Sequence, residues 1–310
     1  MRLEGRVAIV TGGGRGIGQA TCLALAGEGA SLVVLDYGGG VDGAAGGHGP
    51  ADEVADAIVA QGGKAIPHYG DVRNMDTGTD AVQKALDQFG RVDILVNNAG
   101  ILRDRMLHNM SEEEWDAVLD IHLKGTFVCT RAVAPVFRDQ RSGVVVNTSS
   151  ESGLGNMGQA NYSAAKEGIT GFTRTIARDL GRYGCRANSI RPRAATRMTL
   201  SDELREAMER TRKEGMALGT GGGSDSPVAQ IEAWVPAGVA AFTTWLCTDE
   251  AANVNGHDFI VSATEVSLMT QPTPERTIFT EDVWTVDELS SRMGGSLTRG
   301  LANRFVPKKS

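Results

Sequence analysis

The chain has 310 residues, 41% of them hydrophobic, and carries a formal net charge of −7 at pH 7. A chain of this size and composition can bury one substantial core without splitting, so we expect a single soluble domain. The negative charge argues against nucleic acid or an anionic membrane as a main partner. Because no apolar run is long enough to cross a bilayer and the first residues already belong to a strand, we expect a cytoplasmic protein.

The first predicted elements are a strand, a glycine-rich turn, a helix and a second strand. The strand over residues 6–11 runs into Gly12-Gly-Gly-Arg-Gly-Ile-Gly18, and a helical pattern over residues 19–28 follows. Glycines permit a tight turn and let backbone N–H groups approach a pyrophosphate at a helix N-terminus. The second strand ends in Asp36, about 20 residues after the turn, where a carboxylate can bind an adenosine ribose. This order of elements predicts a dinucleotide site.

Asp36 also indicates which dinucleotide is bound. A carboxylate at this position bonds a ribose 2′-hydroxyl and repels a 2′-phosphate, which favours NAD over NADP. Arg15, inside the glycine-rich turn, is the one signal in the other direction, because its guanidinium can meet a phosphate. We therefore predict NAD as the cofactor and keep NADP as the less favoured alternative.

Strands and helices continue to alternate, which predicts a Rossmann-like, doubly wound α/β fold with a parallel seven-stranded sheet. Asp71 follows the third strand, where its side chain can meet an adenine amino group, and Asn97-Asn-Ala-Gly100 forms a small turn after the fourth. A capping box, Ser111-x-x-Glu114, opens one long helix. The other predicted strands cover residues 30–35, 64–68, 94–96, 144–146, 186–190 and 258–261, and the other predicted helices cover residues 51–60, 75–89, 112–137, 160–182, 201–213 and 236–247.

The fifth strand leads into the pattern with the clearest chemistry. Its β-branched run ends in hydroxyls, and Tyr162 and Lys166 lie four residues apart in a following segment rich in helix formers. That spacing places both side chains on one face of a helix. An ammonium beside a phenol favours the phenolate, so we expect Lys166 to lower the pKa of Tyr162 from its usual value of about 10. The pattern predicts a proton-transfer site suited to an alcohol or a ketone.

With these residues assembled, the chain resembles the short-chain dehydrogenase/reductase family over residues 3–263. The resemblance rests on Thr11-Gly12-x-x-x-Gly16-Ile17-Gly18, Asn97-Asn-Ala-Gly100, Tyr162-x-x-x-Lys166, and Pro192 with Thr196. Residues 98–105, 155–166 and 197–199 further resemble the (3R)-hydroxyacyl-CoA dehydrogenase unit of peroxisomal multifunctional enzyme type 2. Such proteins oxidise a 3-hydroxyacyl thioester with NAD, and the resemblance implies the same reaction class here.

The resemblance also implies a role for each matched residue. Tyr162 is expected to exchange a proton with the substrate oxygen, while Lys166 lowers its pKa and holds the nicotinamide ribose. Pro192 and Thr196 are expected to contact the nicotinamide end of the cofactor. The full set of predicted cofactor-binding residues is Gly12, Arg15, Gly16, Ile17, Gly18, Asp36, Asp71, Val72, Asn98, Ala99, Gly100, Tyr162, Lys166, Pro192 and Thr196.

The serine that would complete the proton-transfer site is either Ser149 or Ser150. Counting back from Tyr162 at the family's usual spacing gives Ser149, whereas matching the strand end and the Ser-x-x-Gly pattern gives Ser150. We predict Ser150, because a strand end fixes position better than a loop length does. The predicted catalytic residues are therefore Ser150, Tyr162, Lys166 and, as explained next, His122.

Two positions depart from the family's usual pattern. His122 replaces an asparagine that many members use to hold a water in a proton relay to the lysine. It can join a relay through a ring nitrogen, or it can pack mid-helix with a backbone carbonyl as its partner. Arg193 replaces a glycine; it can meet a carboxylate or phosphate of the substrate, or it can face solvent on the loop rim, which is the interpretation we prefer.

Substrate identity is expected to depend on a lid over about residues 197–235 within a dehydrogenase domain of residues 1–265. Residues 266–310 form an extension expected to pack on the core or on a neighbouring subunit, and Thr285-x-x-Glu288 predicts a short capped helix there that buries Phe279 and Trp284. A homodimer or homotetramer is implied by the resemblance. The basic lid residues, which can attract a CoA phosphate or merely solvate a helix face, are Arg205, Arg210, Arg212 and Lys213.

Cysteine and histidine usage argues against disulfides and metals. The five histidines form no cluster with ligand spacing, so we predict no catalytic metal. The cysteines are widely spread in apolar patterns, which favours buried free thiols over disulfides. They are Cys22, Cys129, Cys185 and Cys247.

Two other function classes remain open. One is a different oxidoreductase of the same fold, either a 3-oxoacyl carrier-protein reductase or a steroid or secondary-alcohol dehydrogenase. Asp36 disfavours the usual NADPH-dependent reductase, but the lid sequence does not separate a thioester from a steroid. The other class is a nonenzymatic dinucleotide-sensing protein, which typically loses the tyrosine or lysine that this chain retains as Tyr162 and Lys166.

Overall fold

A twisted β-sheet forms the core of the protein in this computed structural model, which describes residues 1–40, 42, 47–194 and 235–303. Within these residues the strand order is β3-β2-β1-β4-β5-β6-β7-β8. Strands β1 to β7 are parallel and β8 pairs with β7 in the antiparallel direction. The strands are β1 Val7–Thr11, β2 Ser31–Leu35, β3 Lys64–His68, β4 Ile94–Asn97, β5 Gly143–Thr148, β6 Cys185–Pro192, β7 Asp258–Val261 and β8 Val266–Leu268.

The seven parallel strands confirm the predicted doubly wound fold, and β8 is an addition to it. This strand has three residues, too few to carry a periodic signal, and it lies just past the predicted domain end at residue 265. The chain forms two compact units, Met1–Met269 and Thr270–Ser310, so β8 belongs to the first unit.

Helices cover both faces of the sheet. They are α1 Gly16–Gly27, α2 Gly49–Ala60, α3 Met75–Phe89, α4 Glu112–Leu119, α5 Gly125–Gln140, α6 Ala160–Gly181, α7 Pro236–Leu246 and, in the second unit, α8 Val286–Arg292. Alternate residues of β1 point to opposite faces: Ala8 and Val10 pack with α1, α2 and α7, whereas Val7 and Ile9 pack with α3, α5 and α6. Burying a Val or Ile side chain in this way contributes about 1.5–3 kcal/mol relative to exposure.

The two halves of the sheet meet at β1, which pairs with β2 on one side and with β4 on the other. From β1 the chain adds β2 and β3 on one side of the sheet and then β4 and the later strands on the other side. The loops that follow β1 and β4 therefore diverge and open a crevice at the carboxyl ends of the strands. This is where open α/β sheets bind ligands. The glycine-rich turn after β1 therefore faces the turn after β4.

The helix predicted over residues 112–137 is interrupted. It begins with the predicted capping box, in which Glu114 N–H donates to Ser111 Oγ at 3.1 Å and Ser111 N–H donates to Glu114 Oε2 at 3.0 Å. A π-helical turn, Asp120–Lys124, then separates α4 from α5. Such turns insert one extra residue and frequently occur at functional sites. His122 lies in the middle of this turn.

The second unit contains the predicted short helix. Thr285 Oγ1 accepts a hydrogen bond from Glu288 N–H at 3.2 Å at the start of α8, as its sequence pattern indicates. The Arg292 guanidinium stacks over the Trp284 ring at 4.8 Å. Phe279, however, is 78% exposed, so the expectation that this helix buries it is wrong.

All four cysteines are free and buried, which confirms the prediction of buried thiols. Among the described helices, none has the length and apolar character needed to span a membrane. Thr196, lid residues 197–234 and the basic residues predicted there lie outside the described residues.

Candidate active site

The glycine-rich turn between β1 and α1 has a shape that only glycine allows at several positions. Gly12 and Gly16 have φ angles of +60° and +55°, which side chains strongly disfavour. A Cβ on Gly12 would lie 2.9 Å from Ala99 Cα, and one on Gly18 would lie 1.9 Å from the Gly12 carbonyl oxygen. Backbone of this turn therefore packs directly on the turn after β4.

Thr11 and Asn98 join these two turns. Thr11 Oγ1 accepts hydrogen bonds from the backbone N–H groups of Asn98 and Ala99 at 3.0 and 3.1 Å. The Asn98 side-chain amide donates to the carbonyl oxygens of Thr11 and Gly12 at 3.3 and 3.2 Å. Asn98 thus stabilises the floor of the crevice through its side chain.

Asp36 is held by backbone N–H groups at the end of β2. Its Oδ2 accepts a hydrogen bond from Gly14 N–H at 2.8 Å, and its Oδ1 accepts one from Gly38 N–H at 2.7 Å. A Cβ on Gly14 would lie 2.9 Å from Asp36 Oδ2. The carboxylate is therefore fixed beside the glycine-rich turn, where the sequence predicted a ribose-binding acid.

One cavity follows the crevice along the carboxyl ends of β1, β2 and β4. Of the predicted cofactor-binding residues it brings together Gly12, Arg15, Gly16, Ile17, Asp36, Asp71, Val72, Asn98, Ala99 and Gly100. It does not include Gly18, Tyr162, Lys166 or Pro192. Its wall also contains residues that the sequence patterns did not single out, Tyr37, Arg73, Ile101 and Ile121. Tyr37 and Arg73 lie next to predicted residues, so sequence adjacency was the signal that could have found them.

Asp71, predicted to meet an adenine, is engaged by its neighbour. Arg73 Nε donates to both carboxylate oxygens at 3.0 and 2.8 Å, and the Arg73 backbone N–H donates to Oδ1 at 2.9 Å. Burial alone would raise the pKa of Asp71, but the hydrogen bonds and charge of Arg73 hold it below its usual value. The carboxylate stays ionised, and an adenine would meet it as a hydrogen-bond acceptor.

Ser150 and Tyr162 meet where β5 ends and α6 begins. The Ser150 side chain acts on the Tyr162 phenol and lowers its pKa. Ser149 instead is buried, and its Oγ bonds the Lys166 carbonyl oxygen at 2.9 Å and Thr170 Oγ1 at 2.8 Å. Of the two candidate serines, only Ser150 makes this contact with the tyrosine.

The charges around Tyr162 differ from the sequence expectation. Burial raises the pKa of Tyr162 to about 12, although the hydrogen bond from Ser150 lowers it in part. Burial lowers the pKa of Lys166 to about 7, and its Nζ donates to the Thr148 carbonyl oxygen at 2.6 Å. Nζ lies 5.4 Å from the Tyr162 ring centroid. The expected lowering of the tyrosine pKa by Lys166 is therefore wrong for the chain's own groups, because burial acts against both charged forms.

His122 packs beside this pair. Its ring is buried and lies edge-on to the Tyr162 ring, with centroids 5.1 Å apart. Nε2 lies 3.0 Å from the backbone nitrogen and 2.8 Å from the carbonyl oxygen of Ile101. Within the described residues, buried Nδ1 has no hydrogen-bond partner. Burial, and then the charge of Lys166, lower the pKa of His122 well below its usual value, so the ring is neutral. The contact of Nε2 with the Ile101 backbone matches the packing interpretation. The relay interpretation remains available through Nδ1, which has no partner within the described residues.

Pro192 and Arg193 follow the end of β6. Pro192 pairs with Val261 of β7 and lies away from the cavity wall. Arg193 makes two hydrogen bonds to Glu151, at 2.6 and 2.7 Å, and one to Glu265 at 2.7 Å. The Arg193 guanidinium is therefore paired with carboxylates of the protein itself, an arrangement that neither sequence interpretation described.

Comparisons with known proteins agree with this geometry. A family model described as short chain dehydrogenase matches residues 6–209. The crystal structure of a short chain dehydrogenase from Mycobacterium avium superposes with a TM-score of 0.81 at 36% identity, over 98% of each chain. The chain belongs to the short-chain dehydrogenase family. It is therefore an oxidoreductase that acts on CH–OH groups, and the family uses a nicotinamide dinucleotide, as the sequence resemblance implied.

Two relatives show which members of the family this chain is similar to in sequence. The chain is 41% identical over 301 residues to hydroxyacyl-CoA dehydrogenase ChsB1 of Mycobacterium tuberculosis, a match that covers 94% of this chain and 88% of that protein. It is 41% identical over 267 residues to peroxisomal multifunctional enzyme type 2 of Mus musculus. That match covers 85% of this chain but 32% of the mouse protein, so it concerns one part of a longer protein.

Proposed function

We propose that the protein interconverts a 3-hydroxyacyl-CoA and a 3-oxoacyl-CoA by hydride transfer to and from NAD, with Tyr162 as the general acid and base. The observation that carries this proposal is the contact between the Ser150 side chain and the Tyr162 phenol beside buried Lys166. Ile101 connects this group to the crevice, because it bonds His122 and also lines the cavity.

Each residue has a distinct task in this proposal. Ser150 orients the substrate oxygen and bonds the phenol, and Tyr162 gives a proton to a ketone or takes one from an alcohol. Because its pKa is raised to about 12, Tyr162 carries its proton at neutral pH, which suits ketone reduction directly. Lys166 supplies positive charge behind the phenol when it is protonated. A bound dinucleotide supplies the hydride donor or acceptor and, when oxidised, the positive charge of its nicotinamide ring.

Asp36 supports NAD rather than NADP. Both of its carboxylate oxygens are held by glycine N–H groups, so the acid cannot easily turn away from a 2′-phosphate. A fixed negative charge at this position repels that phosphate and accepts a hydrogen bond from a 2′-hydroxyl. Arg15, whose Nη1 contacts the Gly39 carbonyl oxygen at 3.5 Å, remains the residue that could favour NADP.

The substrate class is proposed from the names of the two relatives. One is called a hydroxyacyl-CoA dehydrogenase, and it matches almost the whole chain. The test is NADH formation from NAD with (3R)- and (3S)-hydroxyacyl-CoA of several chain lengths, with NADP as the parallel cofactor. We expect NAD-dependent turnover of the (3R) thioester. Turnover of steroids or simple secondary alcohols, but of no thioester, would refute the substrate class and leave the oxidoreductase chemistry in place.

Further predictions about the whole protein belong to this proposal. We propose a cytoplasmic homodimer or homotetramer, with a lid over residues 197–235 and with residues 266–310 as an extension of the dehydrogenase domain. Phe127 of α5, 45% exposed, lies edge-on to Phe172 of α6 at 6.4 Å, which gives these helices an exposed aromatic contact. Sedimentation of the native chain and of Phe127→Glu tests this assembly; identical masses would exclude the α5–α6 face from it.

A further inference from the structure

Two arginines on either side of Pro192 point into the protein. Arg191 is 1% exposed, and its guanidinium makes hydrogen bonds in three directions. Its Nη1 donates to the Ser150 carbonyl oxygen at 2.6 Å, and its Nε donates to Asp258 Oδ2 at 2.5 Å. Its Nη2 donates to Glu167 Oε2 at 2.8 Å. A buried guanidinium whose three nitrogens all donate hydrogen bonds holds its partners in a defined geometry.

Arg193 holds the next residue along the continuation of β5. Its Nε and Nη2 bind the two oxygens of the Glu151 carboxylate, and its Nη1 binds Glu265 beyond β7. Ser150 and Glu151 are consecutive and follow the end of β5, so the two arginines bind consecutive residues beyond that strand. We call Arg191 and Arg193, with Asp258, Glu151 and Glu265, the arginine clamp.

The position of Ser150 is not set by the sheet itself. The register of β5 with β6 ends at Thr148, which pairs with Ile190, and the last backbone bond between these strands runs from Ser149 N–H to the Ile190 carbonyl oxygen at 2.7 Å. Beyond this point the Ser150 carbonyl oxygen accepts hydrogen bonds from Arg191 Nη1 at 2.6 Å and from Gly153 N–H at 3.1 Å, and the Ser150 hydroxyl accepts one from Ser152 N–H at 3.1 Å. Rotation of the backbone at Ser150 would move its hydroxyl away from Tyr162.

We propose that Arg191 and Arg193 are positioning residues that hold Ser150 against Tyr162. The inference rests on the proposed roles of those two residues. The clamp acts on turnover through Ser150, and neither arginine touches the reacting atoms. The charges of the clamp are paired, and in this proposal the pairing serves to fix the geometry of Ser150.

A double-mutant cycle separates positioning from a purely structural role. Glu151→Gln and Arg193→Lys each weaken the contact between Arg193 and Glu151. Each variant is combined with Ser150→Ala. We expect either change to lower kcat on the order of ten-fold in the native background, because small misplacements of a reacting group reduce turnover. In the Ser150→Ala background the same changes should cost less than about two-fold, since the residue they position is gone. Equal losses in both backgrounds, or no loss in either, would overturn the proposal.

The pH profile gives a second readout. The Ser150 hydrogen bond lowers the pKa of Tyr162, so loosening the clamp should raise that pKa and move the rise of alcohol oxidation to higher pH. The cofactor affinity should stay unchanged. Asp249→Asn, which breaks the surface pair with Arg6 at 3.1 Å, is the matched control and should move neither kcat nor the profile. A profile that stays in place in Glu151→Gln would count against the clamp.

The test does not depend on the thioester. Any secondary alcohol that the native enzyme oxidises can be used in the double-mutant cycle. Absence of turnover with hydroxyacyl-CoA would therefore refute the proposed substrate class without affecting the test of the clamp. Crystal structures of Glu151→Gln and Arg191→Lys add a measurement without turnover, the distance from Ser150 Oγ to the Tyr162 hydroxyl. We expect it to lengthen in both variants, and an unchanged distance would refute the positioning role.

Discussion

The crevice at β1, β2 and β4 and the proton-transfer corner at β5, β6 and α6 are built in different ways. Backbone forms the crevice, where glycines allow close approach and N–H groups of Gly14 and Gly38 hold the Asp36 carboxylate. Side chains form the corner. There the buried side chains of Lys166 and Arg191 donate hydrogen bonds to backbone carbonyl oxygens at and just beyond the end of β5. The glycine-rich turn of the crevice is set by local sequence, whereas the corner depends on side chains far apart in the chain, such as Arg191 and Asp258. The two regions should therefore respond differently to substitution.

The largest expected effect is at Tyr162 in the corner. Tyr162→Phe removes the proton donor and should lower kcat by about 10²–10⁴-fold, the usual contribution of a general acid or base. Cofactor binding, followed by fluorescence titration, should persist because the crevice is untouched. Tyr183→Phe, a change of the same kind on a tyrosine under the Arg182 guanidinium at 4.9 Å, serves as the control. Full turnover in Tyr162→Phe would refute the proposed role of Tyr162 in proton transfer.

Matched acid substitutions compare the stability of the two regions. Asp258→Asn weakens the partner of buried Arg191 and should lower the free energy of unfolding by about 3–5 kcal/mol, since it leaves a buried charge undercompensated. Asp71→Asn weakens a pair whose Arg73 side chain is 40% exposed, and it should cost less than about 1 kcal/mol. Urea denaturation measures both. Similar costs for the two variants would contradict the distinction between the regions.

Cofactor choice tests the crevice by itself. Asp36→Asn keeps the shape of the side chain and removes its charge, so kcat/KM with NAD should fall about 10- to 100-fold, as expected for losing a charge-assisted hydrogen bond. Activity with NADP should rise relative to NAD. Arg15→Ala in the same background reports whether the guanidinium contributes to that rise. A preference for NAD that survives in Asp36→Asn would assign selectivity to other residues.

A further expected effect is a pH dependence of stability in the corner. Burial lowers the pKa of Lys166 to about 7, so between that pH and its unfolded value of about 10.4 the unfolded chain binds one more proton than the folded one. Stability should therefore rise with pH across this window. In Lys166→Met that contribution is absent, and the difference in unfolding free energy between variant and native protein should change by about 2 kcal/mol from pH 7 to pH 9. Parallel stability curves would show that Lys166 titrates normally.

These differences also explain what the sequence could predict. Family, fold and seven parallel strands followed from alternation and local motifs, and the crevice residues from Gly12 to Gly18 and at Asp36 followed from spacing. The π-helical turn at His122 did not, because the chain around it reads as continuous helix. The Arg191 and Arg193 contacts did not either, because their partners Glu151, Asp258 and Glu265 come together only when β5, β6 and β7 are aligned. Burial reversed the expected pKa of Tyr162 for the same reason, since burial is a property of the folded chain.

The contact between Gly100 and His122 limits the evolutionary paths open to this site. A Cβ on residue 100 would lie 2.3 Å from His122 Cε1, so any side chain there collides with the imidazole. With the ring at position 122, a side chain at position 100 requires the imidazole to move, whereas a smaller residue at 122 would relax that requirement. The energetic costs of substitutions at positions 100 and 122 are therefore expected to be coupled rather than additive.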